Sequence, residues 1–251
     1  MEKLDLYAYL RQHPYPGRGI LLGHSADNTK AVIAYFIMGR SENSRNRIFE
    51  ATEDGIRTRA YDESKMTDPS LIIYHPVRKV GSTTIVTNGD QTDTIADAMK
   101  ESHSWIRALR SRCYEPDGPN YTPRISGILR ENGSYALSIL KSADGDPSCN
   151  HRYFYEYDAP LAGEGRFIHT YQENLDPLPS FEGEPRRVAV TAATAAELAH
   201  QLWENLNADN KVSLFVRYVD LRSGFPETVI LNKHGQRTRI APKAPIWKEE
   251  N

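Results

Sequence analysis

Apolar positions along this chain fall mostly in short runs, many alternating with polar ones, and Gly, Pro, Asn and Asp break them up. Alternation marks a half-buried strand, and a short unbroken apolar run marks a strand buried on both faces. The pattern predicts strands at GILLG (19 to 23), VIAYFIM (32 to 38), LIIYH (71 to 75), TTIVT (83 to 87) and PRISGILR (123 to 130). Further strands are expected at SYALSIL (134 to 140), RYFYEY (152 to 157), RFIHTY (166 to 171), KVSLFVRYV (211 to 219) and TVILN (228 to 232). Helical spacing is confined to two stretches. In TDTIADAMKESHSWIRALR, beginning at Thr92, Ile95, Met99, Ile106 and Leu109 recur near the helical period. TAAELAHQLWENLN opens with Thr194 and has Glu197 three places on, the pattern of a capping box. Strands, a helix, strands, a helix, strands is the order of an α+β fold with antiparallel sheets covered by helices, not of a βαβ alternation.

Composition narrows the function classes. With 251 residues, 39% of them hydrophobic, the chain can bury a core without disulfide staples. Basic and acidic residues number 31 and 33, a net charge of -2, which argues against a surface that tracks nucleic acid or an anionic membrane. Any anion site must therefore be local. Cys113 and Cys149 match no metal spacing and suit a reducing compartment. The start, MEKLDLYAYLRQHPYPGRG, lacks the apolar core of a signal peptide, and no run approaches the ~20 apolar residues that span a bilayer. A soluble cytoplasmic protein is expected. The histidines form no HxxxH or HExxH pair, and GxGxxG, P-loop and GxSxG signatures are absent, so neither metal nor organic cofactor is expected.

Three loops and one tyrosine could carry chemistry. GRSENSRNR (39 to 47) follows a predicted buried strand and holds Arg40, Arg45 and Arg47, whose planar forks suit a phosphate. Composition alone favours a solvated loop there. NGDQTDTI (88 to 95) joins a strand to the first helix, where free backbone N–H groups could meet a ligand; Asp90 and Asp93 make a sugar or base edge a better guess than phosphate. Plain capping by Thr92 or Asp93 is the bland alternative. CYEPDGPNYTPRISG (113 to 127) presents Glu115, Asn120, Tyr121 and Arg124 between prolines, and turn chemistry explains Glu115 least. Tyr74 ends a predicted strand and needs no function as a half-buried aromatic.

Taken together, YPGRGILLG (15 to 23), AYFIMGRSENSRNR (34 to 47), LIIYHPVR (71 to 78), IVTNGDQTDTI (85 to 95), CYEPDGPNYTPRISG (113 to 127) and, more loosely, HTY (169 to 171) resemble the archaeal-type IMP cyclohydrolase family, in particular its longer bacterial relatives. The resemblance implies one domain over residues 1 to 251, with a four-layer α-β-β-α sandwich similar to N-terminal nucleophile hydrolases. It implies closure of 5-formamidoimidazole-4-carboxamide ribonucleotide (FAICAR) to inosine monophosphate (IMP) with loss of water, without cofactor. On the family's pattern Arg47, Tyr74 and Glu115 act on the reacting groups. Glu115 is then the proton shuttle, with Tyr74 and Arg47 as donors, and Glu115 and Tyr74 could exchange roles. Arg18 and Arg40, with Arg47 or Arg124, would anchor the nucleotide, and Asn88, Asp90, Thr92, Asp93 and Asn120 would complete the binding set. The chain departs from the archaeal pattern at Asp90-Gln91, where that pattern has Ser-His, and in the longer segment after residue 172.

Two other classes compete. An N-terminal nucleophile amidohydrolase needs an exposed Cys, Ser or Thr as first residue, whereas Glu2 is expected to keep Met1 in place. A non-catalytic nucleotide or RNA-binding module would use Arg40, Arg45 and Arg47 beside Tyr61 and Tyr74, but balanced charge offers no basic stripe. Nucleic acid and membrane are thus not expected partners. Assembly with further copies is left open, as is the role of the tail RIAPKAPIWKEEN.

Overall fold

The structure, a computed structural model, describes residues 3–143, 145–235 and 238–240. The elements are α1 (Leu6–Gln12), β1 (Arg18–His24), β2 (Lys30–Met38), α2 (Glu42–Arg45), β3 (Arg47–Ala51), β4 (Gly55–Ala60), β5 (Val77–Val80), β6 (Thr83–Thr87), α3 (Gln91–Lys100) and α4 (Trp105–Leu109). Then follow β7 (Arg124–Leu129), β8 (Tyr135–Ala143), β9 (Asp146–Tyr157), β10 (Glu164–His169), β11 (Arg186–Ala189), α5 (Ala195–Asn205), β12 (Lys211–Asp220), β13 (Pro226–Asn232) and β14 (Thr238–Ile240). They form two seven-stranded antiparallel sheets, ordered β11-β10-β1-β2-β12-β13-β14 and β3-β4-β5-β6-β7-β8-β9.

Alternation along each strand assigns the layers. Ile20, Leu22, Ile33, Tyr35 and Phe215 of the first sheet meet Phe49, Val77, Val86, Ile125 and Leu137 of the second in one core between the sheets. Leu21, Val32, Phe36, Leu214 and Val216 point the other way, against Leu6 and Leu10 of α1 and Leu198, Leu202 and Trp203 of α5. On the far side Ile85, Ile128 and Leu140 carry Ile95 of α3 and Trp105 and Leu109 of α4. Every residue of β1 is buried because its sheet is covered on both faces.

Two predicted elements come out differently. LIIYH is no strand: the Oγ1 of Thr58 accepts from Tyr74 N at 2.8 Å and donates to Ile72 O at 2.8 Å, while Thr58 N donates to Tyr74 O at 2.9 Å. One side chain thus takes the place of a ladder, and turns at Pro69 and the missing N–H of Pro76 prevent pairing beyond it. The single long helix from Thr92 is two, α3 and α4, separated where Ser102 takes φ 62° and Ser104 caps the second by accepting from Arg107 N. Strands β3, β4 and β5 were hidden in charged stretches. GIRTRA does alternate once its two exposed arginines are read as the solvent face. In α5, Thr194 accepts from Glu197 N at 3.1 Å, but Glu197 returns its bond to Ala193 N rather than to Thr194. The tail from residue 241 lies outside the described residues.

Candidate active site

One end of the sandwich gathers the arginines. Arg18 opens β1, Arg40 follows β2, Arg47 opens β3 and Arg124 opens β7. The chain turns from β2 to β3 through α2, whose cap Ser41 exchanges hydrogen bonds with Ser44. That compact turn brings Arg47 back under β2: its Nε donates to Ser44 O at 2.8 Å and its Nη2 to Met38 O at 3.4 Å. Arg47 is fully buried, and its Nη1, like Nε of Arg18, has no hydrogen-bond partner among the described residues. Burial lowers the Arg47 pKa and the nearby Arg18 guanidinium lowers it further, with Tyr74, Tyr35 and Tyr15 opposing. Two unsatisfied buried guanidiniums within electrostatic reach of each other form a site for negative charge.

Facing them is Glu115, 2% exposed. Burial raises its carboxyl from 4.5 to about 7, although Arg18 and Arg124 pull it down. It packs on the Asn-Gly junction after β6, where a Cβ on Gly89 would stand 2.6 Å from Arg124 Nη1 and 3.3 Å from Glu115 Oε1. Arg124 Nη1 donates to Asp90 Oδ1 and Gln91 Oε1, both at 2.7 Å, and Asp90 also pairs with Arg112 at 2.5 Å. Burial favours the neutral form of Asp90, but those two arginines win and lower its pKa. Tyr74 is buried, and its hydroxyl lies 2.8 Å from that of Tyr35, an inter-sheet residue.

The open space is a cleft of about 360 Å³ lined by Tyr15, Arg18, Arg40, Glu115, Asn120 and Tyr171, among others. That volume lies within the ~300–1,000 Å³ usual for small-molecule sites. Arg40 leans over Tyr15, 5.2 Å from the ring, and donates to Asn174 Oδ1 and Leu175 O in the proline-rich loop. Asn120 Oδ1 accepts from Leu178 N of the same loop at 2.9 Å. Both irregular segments are therefore packed parts of the cleft wall.

The structure brings Arg18, Arg40, Glu115 and Asn120 together at the cleft, with Arg47, Tyr74 and Arg124 clustered around Arg18 and Glu115. The remaining expected ligands hold the scaffold. Asn88 donates to Pro123 O and accepts from Ile125 N, tying β6 to β7. Thr92 is buried against Thr87 Oγ1 at 2.6 Å, and Asp93 pairs with Arg78 at 2.9 Å, away from the cleft lining. Asp90 is held by its two arginines. Sequence reasoning passed over Tyr15 and Tyr171, whose rings stack 5.8 Å apart, although both lie in YPGRG and HTY. It also passed over Tyr35, and the chain in which Thr122 Oγ1 bonds Asp117 and the Tyr171 hydroxyl. His13 and His169 both bond to Tyr171 O, and burial, reinforced by His13, lowers the His169 pKa to about 3. These neutral rings fix Tyr171 in place. Among the described residues no group of three or more His, Cys, Asp or Glu side chains is placed to hold a metal ion, and no helix is long and apolar enough to cross a membrane.

Two antiparallel sheets thus meet around the buried Arg18, Arg47 and Arg124, the buried Glu115 and the stacked rings of Tyr15 and Tyr171, at the end of the sandwich where the cleft opens. Of the other arginines in the loop after β2, Arg45 is tied to Gly39 O and Asn210 Oδ1 and Arg47 is interior. Residues 15–223 match the model of the family described as IMP cyclohydrolase-like protein, and the chain belongs to that family. It is 33% identical over 125 residues to the IMP cyclohydrolase of Methanococcus aeolicus, a match covering 48% of this chain and 61% of that one. The IMP cyclohydrolase of Methanosphaera stadtmanae is 28% identical over 187 residues, 73% of this chain and 82% of its own. That of Methanopyrus kandleri is 28% identical over 190 residues, 67% and 89%.

Proposed function

We propose that this protein is an IMP cyclohydrolase that closes the ring of FAICAR to IMP. The observation that carries the reading is Glu115, a carboxyl at about 7 held against Gly89 in the company of Arg18, Arg124 and Arg47. Ring closure joins the carboxamide nitrogen to the formyl carbon of the same molecule, so the substrate itself supplies much of the proximity. Two N–H protons and the formyl oxygen leave as water. A carboxyl poised near neutrality takes the proton from the attacking nitrogen and returns it to the departing oxygen. The open Nη1 of Arg47 and the hydroxyl of Tyr74 are donors for the charge that develops on that oxygen. Arg18 and Arg40 anchor the phosphate, and the stacked Tyr15 and Tyr171 rings form an aromatic wall beside the imidazole. The same reading takes the layers as a four-layer α-β-β-α sandwich similar to N-terminal nucleophile hydrolases, over one domain. It places the protein in the cytoplasm, with a purine-precursor ribonucleotide rather than nucleic acid as its partner.

The test is the ultraviolet spectrum of the purified protein mixed with FAICAR. IMP is expected from the parent protein, with rates lower by roughly 10²-fold or more in Arg47→Ala and Glu115→Gln. Below pH about 7 the parent rate should fall as Glu115 takes up its proton. A parent protein that binds the nucleotide and forms no IMP overturns the proposal.

A further inference from the structure

A second cavity, of about 170 Å³, opens at the other end of the sandwich. Its walls include Ala31, which follows the first residue of β2, and Leu129, the last of β7; the cleft takes the opposite ends of those strands. Arg217 of β12 enters this cavity from the inside. Phe215 and Val219 pack in the core between the sheets, and alternation puts Arg217 on the same inward face. A strand buried on that face calls for an apolar side chain at this position.

The side chain is only partly satisfied. Nε donates to Thr228 Oγ1 at 2.9 Å, and the guanidinium carbon lies 5.0 Å from the Phe215 ring. No carboxylate pairs with it among the described residues, which sets it apart from Arg124, held by Asp90. Neither acid on the lining, Asp220 or Glu131, forms an ion pair with Arg217 among the described residues. Asp220 Oδ1 accepts from Arg222 N, Ser223 N and Ser223 Oγ, and Glu131 is exposed at the rim. Lys79 and Arg222 add exposed positive charge to the mouth, while Arg130 pairs with Glu156 at 3.1 Å. Burial lowers the Arg217 pKa to about 10, with no compensating partner. A forked donor kept between two sheets without an acid is matched by a ligand that brings the negative charge.

We propose that this cavity is a second anion site, in which Arg217 holds the tetrahedral oxyanion of inorganic phosphate or of a small phosphomonoester, and Lys79 and Arg222 guide it in. The space is less than half that of the catalytic cleft, so it takes a phosphate group and not a nucleotide.

Isothermal titration of the full chain with inorganic phosphate, and separately with glycerol 3-phosphate, counts the sites. One phosphate site that persists in Arg40→Ala and is missing from Arg217→Gln is expected, with its affinity several-fold weaker in Lys79→Ala/Arg222→Ala. Those two side chains are exposed, so the double variant decides the matter if Arg217→Gln does not fold. Binding of phosphate alone identifies free phosphate as the ligand, and binding of both probes identifies a phosphomonoester site. Unchanged stoichiometry and affinity in the Arg217 and rim variants, or no site beyond the one removed by Arg40→Ala, overturns the proposal. Ring closure is not read in this experiment, so its outcome is independent of the proposed function.

Discussion

The three arginines of GRSENSRNR have three fates within eight positions. Arg40 stands exposed at the cleft, Arg45 staples α2 to Gly39 and Asn210, and Arg47 is interior with one open N–H group. Spacing could not separate them, because burial here depends on how α2 folds the loop under β2. Glu115 was legible as the odd residue in a turn-rich loop, but its proton affinity was not. Its ordinary value of 4.5 rises to about 7 in the fold, so folding takes up a proton between those two pH values. Stability from this group is therefore present at low pH and lost as pH climbs through that window. The penalty above it is on the order of 3 kcal/mol. Glu115→Gln should raise the melting midpoint at pH 8, with the gain almost gone by pH 4. Thermal denaturation at both values checks this, and an equal gain at both would mean that the native carboxyl is not unusually protonated.

At the scale of elements, strands with apolar alternation on at least one face were read from the sequence within a few residues. The errors have physical causes. LIIYH carries an inward-facing alternation at Ile72 and Tyr74 yet no ladder, because Thr58 alone satisfies that stretch. Charged residues on the outer faces of β3, β4 and β5 diluted the signal of strands at one edge of the second sheet. The Thr58 hook also places a candidate catalytic group, since it holds Tyr74 where its hydroxyl meets Tyr35. Thr58→Val leaves buried backbone groups of residues 72 and 74 unsatisfied and should destabilise the fold by roughly 1–3 kcal/mol. In FAICAR turnover it should lower kcat more than it raises KM if, as proposed, the Tyr74 hydroxyl acts on the reacting atoms. Urea denaturation with steady-state kinetics tests both parts; an unchanged kcat would detach the hook from the chemistry.

For the whole molecule, the segment after residue 172 proves to be structural. Strand β12 sits in the first sheet between β2 and β13, pairing with β2 from Lys211↔Met38 to Asp220↔Lys30. A chain ending at Asn205 would expose the full edge of β2 and uncover Ile33, Tyr35 and Ile37 in the inter-sheet core. It is expected to aggregate or to lack a cooperative thermal transition by circular dichroism. A soluble truncated chain with a sharp transition would show that the C-terminal strands are an addition to a complete domain.

The sequence by itself determined the α+β class, most of the strands, the family likeness and the loops from which the cleft is built, because hydrophobic period and turn chemistry are local properties of the chain. Only the tertiary structure decided which arginines are buried, that Asn88 and Thr92 brace the scaffold and Asp93 pairs with Arg78, and that Tyr15, Tyr35 and Tyr171 join the site. Charge, exposure and proton affinity at those positions follow from contacts between segments far apart in the chain, as when Thr170 Oγ1 accepts from Arg18 N, 152 residues away. No local pattern encodes that proximity.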